Sequence, residues 1–158
     1  MPSFSTERRV PYTAAQMYAL VADIERYPEF LPMCTGLTIL TRKTGCDGED
    51  LTARMSVGYK SIAEHFTSHV ILKPAVPSVA ASYLDGPFKR LDNRWRFFDE
   101  AGGGSRVDFS ITYELKSIFL QLTVGALFDQ AFRKFAEAFE DRARKVYGAV
   151  PGALGQVI

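Results

Sequence analysis

The chain has 158 residues, a formal net charge of +1 and a hydrophobic fraction of 47%. This length fits one domain with a single core, and this composition excludes an intrinsically disordered chain. The near-zero net charge gives no broad electrostatic footprint for nucleic acid, and no apolar run approaches the length of a transmembrane helix.

The N-terminal residues and the two cysteines indicate the compartment. The first ten residues, MPSFSTERRV, lack the charged and then apolar layout of a signal peptide, and acidic Glu7 argues against a transit peptide. Cys34 and Cys46 do not suggest a disulfide framework and are predicted to be free thiols. We therefore expect a cytoplasmic protein.

The first part of the chain predicts one strand followed by two short helices. Residues 3–10 alternate in the manner of an edge strand. Thr13 and Gln16 have the spacing of a capping box, so a helix is predicted to begin directly after Thr13. Pro28 suits the first turn of a second helix and Pro32 ends it, because proline disrupts a helix interior. The segment between the prolines is predicted to be a helical elbow with apolar side chains.

The middle of the chain changes to a period of two. Between about residues 37 and 115, apolar and polar residues alternate in runs that turn sequences separate, such as Asp47-Gly48 and the AGGGS segment. The pattern predicts a meander of antiparallel strands with one apolar face.

A long amphipathic helix is predicted to close the chain, from about Ile118 to Tyr147. We expect residues 1–148 to form a single domain and residues 149–158 to be a flexible tail. The fold class is therefore α+β, with a curved antiparallel sheet wrapped around the last helix.

Small residues among the large inward ones predict space inside this arrangement. A sheet that grips a helix over such a mixed surface tends to enclose an apolar cavity, which is the usual place of a ligand. The alternative is a solid core, because an apolar stripe more often packs than binds. The small residues are Ala53, Ala63, Ala81, Gly125, Ala126 and Ala136.

Two segments carry a resemblance to a known family. YALVADIERYPEFLPMC and LDGPFKRLDNRWRF together resemble the coenzyme Q-binding branch of the START-like superfamily, which is related to polyketide cyclases and includes the bacterial ribosome-association toxins. The resemblance covers residues 2–148, and Gly86, Pro87 and Trp95 belong to its second motif. One departure is Met33, which stands where the family usually has tryptophan.

The resemblance implies a START-like helix-grip fold with a hydrophobic tunnel. It also implies a non-enzymatic carrier or chaperone that binds ubiquinone or a similar isoprenoid lipid in support of respiratory electron transport, with no required cofactor, no metal and no catalytic residue. The predicted tunnel lining consists of elbow residues and inward residues of the strands and the last helix: Phe30, Leu31, Met55, Phe66, Leu91, Asn93, Trp95, Phe109, Ile111, Tyr113, Phe128, Phe132 and Phe135.

A few inward polar residues are candidates for a polar ligand head. Glu64 shares a face with Phe66, and Asn93 shares one with Trp95. A buried carboxylate needs a partner or takes up a proton, so Glu64 and Asn93 are predicted to contact the head group. The alternative for Glu64 is a bulge or register shift that turns it to solvent.

Other chemical patterns are weak. His65 and His69 would suit a metal on a helix, but on a strand they lie roughly 13 Å apart, too far for one ion. The AGGGS segment precedes a strand and cannot act as a phosphate-binding loop. Neither cysteine lies in a nucleophile motif.

Three further expectations concern partners. The apolar start of the last helix, with Phe119, Leu120 and Val124, is predicted to give peripheral access to a membrane, on the inner face of the cytoplasmic membrane.

A cyclase or aromatase acting on polyketides is an alternative that would need an acid and a base in the tunnel. A ribosome-binding protein would need a basic face, for which the row of Lys89, Arg90, Arg94 and Arg96 is the candidate; Asp92 dilutes this row, so we rank this alternative below the carrier.

Overall fold

The computed structural model describes residues 3–59 and 61–148. It contains seven strands, two α-helices and a 3-10 helix at the elbow, in the predicted order. The elements are β1 (Ser3–Val10), α1 (Ala14–Ala22), the elbow helix (Ile24–Glu29), β2 (Cys34–Gly45), β3 (Gly48–Tyr59), β4 (Ile62–Lys73), β5 (Ser78–Asp85), β6 (Phe88–Asp99), β7 (Ser105–Leu115) and α2 (Ile118–Tyr147).

All seven strands form one antiparallel sheet in the order β1-β7-β6-β5-β4-β3-β2. Six strands follow one another as a meander, and β1 pairs with β7 at the far end. The sheet is open and curved, and α2 lies against its concave face. This is the predicted α+β architecture.

The capping box that the sequence predicts at the start of α1 is present. The Thr13 hydroxyl accepts from the Gln16 backbone N–H at 3.1 Å, and the Gln16 side chain accepts from the Thr13 backbone N–H at 2.9 Å. Two N–H groups that have no partner inside the helix are therefore satisfied. The helix buries Met17 and Val21 in the core.

The alternation of side chains in β7 is regular, with every odd-numbered residue from Ser105 to Leu115 buried. In β4 it is interrupted, because Thr67 is buried together with its neighbours Phe66 and Ser68. The pairing of β4 with β5 shifts register between Thr67 and Ser68. Such a shift bends the strand locally and increases its twist.

The two halves of α2 are held differently. The second half is tied to other elements by polar contacts: Arg8 of β1 forms an ion pair with Glu140 at 2.6 Å, and the Tyr147 hydroxyl donates to the Gln16 carbonyl at 2.9 Å. For residues 118–128, the described part of the chain provides no ion pair to another element. The first half of α2 is thus held by apolar packing.

The helix ends at Gly148, whose φ of 77° lies in the left-handed region that favours glycine. The predicted tail, residues 149–158, lies outside the described residues. Among the described residues, no helix is both long and apolar enough to cross a membrane.

Candidate ligand cavity

A cavity of about 70 Å³ lies between the concave face of the sheet and α2. Its walls come from inward residues of β2 to β7, from the elbow helix and from the middle of α2. The lining residues are Ile24, Tyr27, Leu37, Ala53, Met55, Phe66, Ser68, Val70, Val79, Ala81, Leu91, Asn93, Trp95, Ile111, Phe132, Phe135 and Phe139.

The wall of the cavity is almost entirely apolar. No carboxylate, ammonium, guanidinium or imidazole group is among its lining residues, and the polar groups on the wall belong to Ser68, Asn93, the phenol of Tyr27 and the indole of Trp95. Tyr27 is buried and donates its hydroxyl hydrogen bond to the Val21 carbonyl. Burial raises the pKa of Tyr27, so the phenol stays neutral. The cavity therefore suits an uncharged, largely apolar ligand.

Two polar side chains of the wall differ in how they are satisfied. The Asn93 amide donates to the Ser110 carbonyl on the neighbouring strand β7 at 2.9 Å. Ser68 is only 6% exposed, and its hydroxyl has no hydrogen-bond partner among residues 3–59 and 61–148. Ser68 thus presents an unsatisfied hydroxyl beside the cavity.

The elbow forms one side of the cavity and is fixed to α2 by aromatic contacts. The ring of Phe139 lies 5.3 Å from Tyr27 and 5.0 Å from Phe30, in edge-to-face arrangements. Outside this cluster, the Arg142 guanidinium lies over the Phe30 ring at 4.9 Å and binds Glu29 at 2.8 Å. The hydrogen bond from Arg142, followed by that from Arg26, lowers the pKa of Glu29.

The residues predicted as tunnel lining fall into two groups. Eight lie on the cavity wall: Met55, Phe66, Leu91, Asn93, Trp95, Ile111, Phe132 and Phe135. The other five lie around the cavity without lining it: Phe30, Leu31, Phe109, Tyr113 and Phe128. Among these five, Phe128 packs on Phe88 with ring centroids 4.7 Å apart, and Phe30 packs on the outer side of Phe139.

Nine wall residues were not predicted from the sequence: Ile24, Tyr27, Leu37, Ala53, Ser68, Val70, Val79, Ala81 and Phe139. For some of them a signal existed. Ser68 and Val70 follow Phe66 at steps of two on β4 and so share its face. Ala53 and Ala81 are among the small inward residues of the sequence, and small side chains leave empty space beside them.

Glu64, predicted as a contact for a polar head, is not on the cavity wall. It is half-buried on β4, opposite Val57 of β3. On its other side, β5 pairs with β4 only from Thr67 onward, where the register shift occurs, so Glu64 lies beyond the end of β5. The structure therefore places Glu64 beyond the end of β5, two residues before the wall residue Phe66, and not on the cavity wall.

The cavity is small. It is less than half the volume of an apolar cavity of about 150 Å³ that accommodates benzene. A quinone ring with an isoprenoid tail does not fit unless a wall moves. A large ligand therefore has to displace part of the wall.

The histidines and cysteines of the described residues do not line the cavity. His65 and His69 are on the opposite face of β4, and His69 lies 4.0 Å from Asp50. Within the described ranges, no cluster of three side chains is suited to hold a metal ion. Burial raises the pKa of the Cys34 thiol to about 11, so at neutral pH it is protonated and a poor nucleophile.

The row of basic residues on β6 is largely neutralised. Arg90 lies 3.5 Å from Glu114, which is also 3.9 Å from Lys89, and Arg94 lies 3.4 Å from Asp92. In the part of the chain that the structure describes, Arg96 has no ion-pair partner. The row therefore does not make a strongly basic face.

The start of α2 exposes an apolar surface, here called the α2 patch, formed by Ile118, Phe119 and Leu122. These side chains are 80%, 69% and 81% exposed. Of the other residues predicted to reach a membrane, Leu120 is half-buried and Val124 is buried, so the helix turns these two toward the core.

Comparison with known proteins gives two kinds of relative. A family model described as "Polyketide cyclase / dehydrase and lipid transport" matches residues 10–140. The ribosome association toxin RatA of Escherichia coli (strain K12) is 36% identical over 149 residues, or 94% of this chain and 91% of that protein. The mitochondrial coenzyme Q-binding protein COQ10 homolog B of Xenopus laevis is 29% identical over 149 residues, or 92% of this chain and 59% of that protein.

The fold has a counterpart among solved structures. A START superfamily protein from Mycobacterium smegmatis superposes with a TM-score of 0.74 at 21% identity, over 91% of this chain and 98% of that one. The predicted START-like helix-grip fold is therefore confirmed.

Proposed function

Since the chain belongs to the polyketide cyclase/dehydrase and lipid transport family, we propose that it is a non-enzymatic carrier for ubiquinone or a similar isoprenoid lipid. The observation that carries the proposal is the apolar, uncharged cavity under α2. Burial of each methylene group contributes about 0.8 kcal/mol, so an apolar wall alone is sufficient to hold an isoprenoid tail. The name of the coenzyme Q-binding relative supports the choice of ligand.

Ligand entry requires a wall to move, and the first half of α2 is the part that we propose moves. Its residues 118–128 have no ion pair to the sheet in the described part of the chain, whereas the second half is anchored by Glu140, Arg142 and Tyr147. Residues 118–128 do not line the cavity themselves, but Phe128 packs against the wall residues Phe66 and Phe132. Displacing this half therefore extends the cavity toward the start of α2 while the elbow stays in place.

The fluorescence of Trp95 tests the proposed ligand. Trp95 is the single tryptophan of the chain and lies on the cavity wall. Titration with a short-tailed ubiquinone is expected to quench its emission saturably at stoichiometric ratios. Quenching that stays linear with quinone concentration, as for free tryptophan, would show that the quinone does not enter the cavity.

We further propose that the α2 patch docks on the inner face of the cytoplasmic membrane. Residues 118–128 contain no charged side chain, while Lys116 just before them is exposed and suits anionic head groups. The three side chains of the patch offer on the order of 400 Å², about half of the roughly 800 Å² per partner of a standard protein interface. A bilayer, which accepts small apolar insertions, fits this surface better than a second protein.

Substitutions in the α2 patch are expected to reduce binding to vesicles. Phe119→Glu and Leu122→Glu each place a charge in the docking surface and should lower the fraction that sediments with phosphatidylglycerol-containing vesicles several-fold. Both side chains are exposed, so the melting temperature should hardly change. The matched control is Val76→Glu, since Val76 is 76% exposed in the turn between β4 and β5 at the opposite end of the sheet. Equal sedimentation of all four proteins would contradict docking by this patch.

Ribosome association is a second candidate function. It is supported by the name of the ribosome association toxin RatA, which is 36% identical to this chain. The ion pairs along β6 leave Arg96 as the free cation of the predicted basic row within the described residues. Co-sedimentation with purified large ribosomal subunits in a sucrose gradient tests this candidate. Salt-sensitive, stoichiometric binding would favour it over the carrier.

An enzymatic role is the third alternative, since the family description also names polyketide cyclases. General acid–base catalysis needs a titratable group beside the substrate, and the cavity wall has only the hydrogen-bonded phenol of Tyr27. Turnover of an aromatic polyketide precursor would favour this alternative.

A further inference from the structure

Besides Tyr27 and the indole N–H of Trp95, the polar side chains of the cavity wall are Ser68 and Asn93, which lie on strands on either side of β5. Ala81 of β5, directly opposite Asn93 in the register, is also on the wall. Strand spacing puts β4 and β6 about 10 Å apart at this level. On β4, Val70 lies opposite Ala81 and Ser68 lies opposite Tyr83, so Ser68 and Asn93 face the cavity from neighbouring levels of the sheet. The small side chain of Ala81 leaves open space beside Asn93.

The hydroxyl of Ser68 has a hydrogen to donate and no acceptor. It is 94% buried, lines the cavity and is without a hydrogen-bond partner among the described residues. Buried polar groups in folded proteins are nearly always paired, with protein, water or ligand. Asn93, also on the cavity wall, uses one amide hydrogen on the Ser110 carbonyl and has a second amide hydrogen to donate.

The absence of charge from the wall restricts the ligand further. A carboxylate or phosphate in this cavity would lose its hydration without meeting a cation, which is strongly unfavourable. A neutral carbonyl oxygen, in contrast, accepts from a hydroxyl or an amide hydrogen.

We propose that Ser68 is the polar anchor of the cavity and donates a hydrogen bond to a carbonyl oxygen of a neutral ligand head, with Asn93 as a second donor. The site thereby selects neutral carbonyl-bearing lipids over fatty acids and phospholipids. This inference rests on the proposed function, because it names the head group that the lipid cavity accepts.

The test compares three probes on the full chain: a short-tailed ubiquinone, a hydrocarbon with a tail of the same length, and the corresponding fatty acid. The quinone is titrated by Trp95 quenching and the other two by displacement of bound quinone, or by native mass spectrometry. Ser68→Ala is expected to raise the Kd for the quinone about tenfold and to leave the Kd for the hydrocarbon unchanged or lower. Ser68→Cys, with a similar size and a weaker donor, should also weaken quinone binding.

Ser82→Ala is the matched control, because Ser82 is exposed on the same sheet and absent from the cavity wall. It should change neither affinity. Equal quinone affinity of the wild type and of both Ser68 variants would overturn the anchor, as would equal affinity of the wild type for the quinone and the fatty acid. Both results leave lipid binding standing, whereas failure of the wild type to bind any of the three probes refutes the proposed function itself.

Discussion

Replacement of Phe139 by alanine is expected to lower the free energy of unfolding by about 3–5 kcal/mol. The Phe139 ring is 1% exposed and contacts Tyr27, Phe30 and Trp95, with ring centroids 5.0–5.3 Å apart. Its removal leaves an unfilled space where the elbow, α2 and the sheet meet. Urea denaturation followed by Trp95 fluorescence and by circular dichroism measures the change.

Val146→Ala is the control for this substitution, because Val146 is on the same helix and 50% exposed. It should alter the free energy of unfolding by no more than about 0.5 kcal/mol. A loss below 1 kcal/mol in Phe139→Ala would mean that the elbow is not fixed to α2 through this ring.

Replacement of Ala81 by leucine is expected to abolish measurable quinone binding while the protein remains folded. Ala81 lies on the cavity wall between Val70 and Asn93, and three added carbon atoms occupy space on the scale of the 70 Å³ cavity. A larger side chain that fills an existing cavity stabilises the folded protein or destabilises it only slightly. A larger side chain in an already packed core is destabilising. Titration by Trp95 quenching, together with the melting temperature, measures both effects.

Ala63→Leu introduces the same side chain at an exposed position of β4 and should leave quinone binding intact. If Ala81→Leu binds quinone as tightly as the wild type does, the ligand occupies another place on the protein.

The sequence predicts the strands well because the side-chain period of two is strict. The alternation in β6 and β7 puts Leu91, Asn93, Trp95 and Ile111 on the inner face, where the structure has them on the cavity wall. The period of two does not predict which inward residues of a strand lie beneath α2. Tyr113, on the same face as Ile111, therefore packs on Phe132 instead of lining the cavity.

The elbow shows why the site is harder to predict than the fold. The sequence predicts a helical elbow with apolar side chains between Pro28 and Pro32. The structure instead has a 3-10 helix over Ile24–Glu29. In such a helix, residues three apart lie on one face, so Ile24 and Tyr27 together reach the cavity. Phe30 follows the end of the helix and packs outside, against Phe139.

Which apolar side chains are exposed at the start of α2 also depends on tertiary structure. Its sequence is apolar on all sides, which indicates exposure of some apolar residues without identifying them. The position of the helix against the sheet decides this, burying Val124 and leaving Leu122 in solvent. Ser68 shares the inward face of β4 with Phe66, but that step of two does not show that a serine lines a cavity.

The central claim is that the chain holds an isoprenoid quinone in the cavity under α2. Organic extraction of protein purified from a quinone-producing host, followed by mass spectrometry, tests it most directly. We expect a quinone in a substantial fraction of the wild-type molecules and none in Ala81→Leu prepared in parallel. Repeated wild-type preparations without isoprenoid, from cells rich in quinone, and failure to load any in vitro would contradict the account.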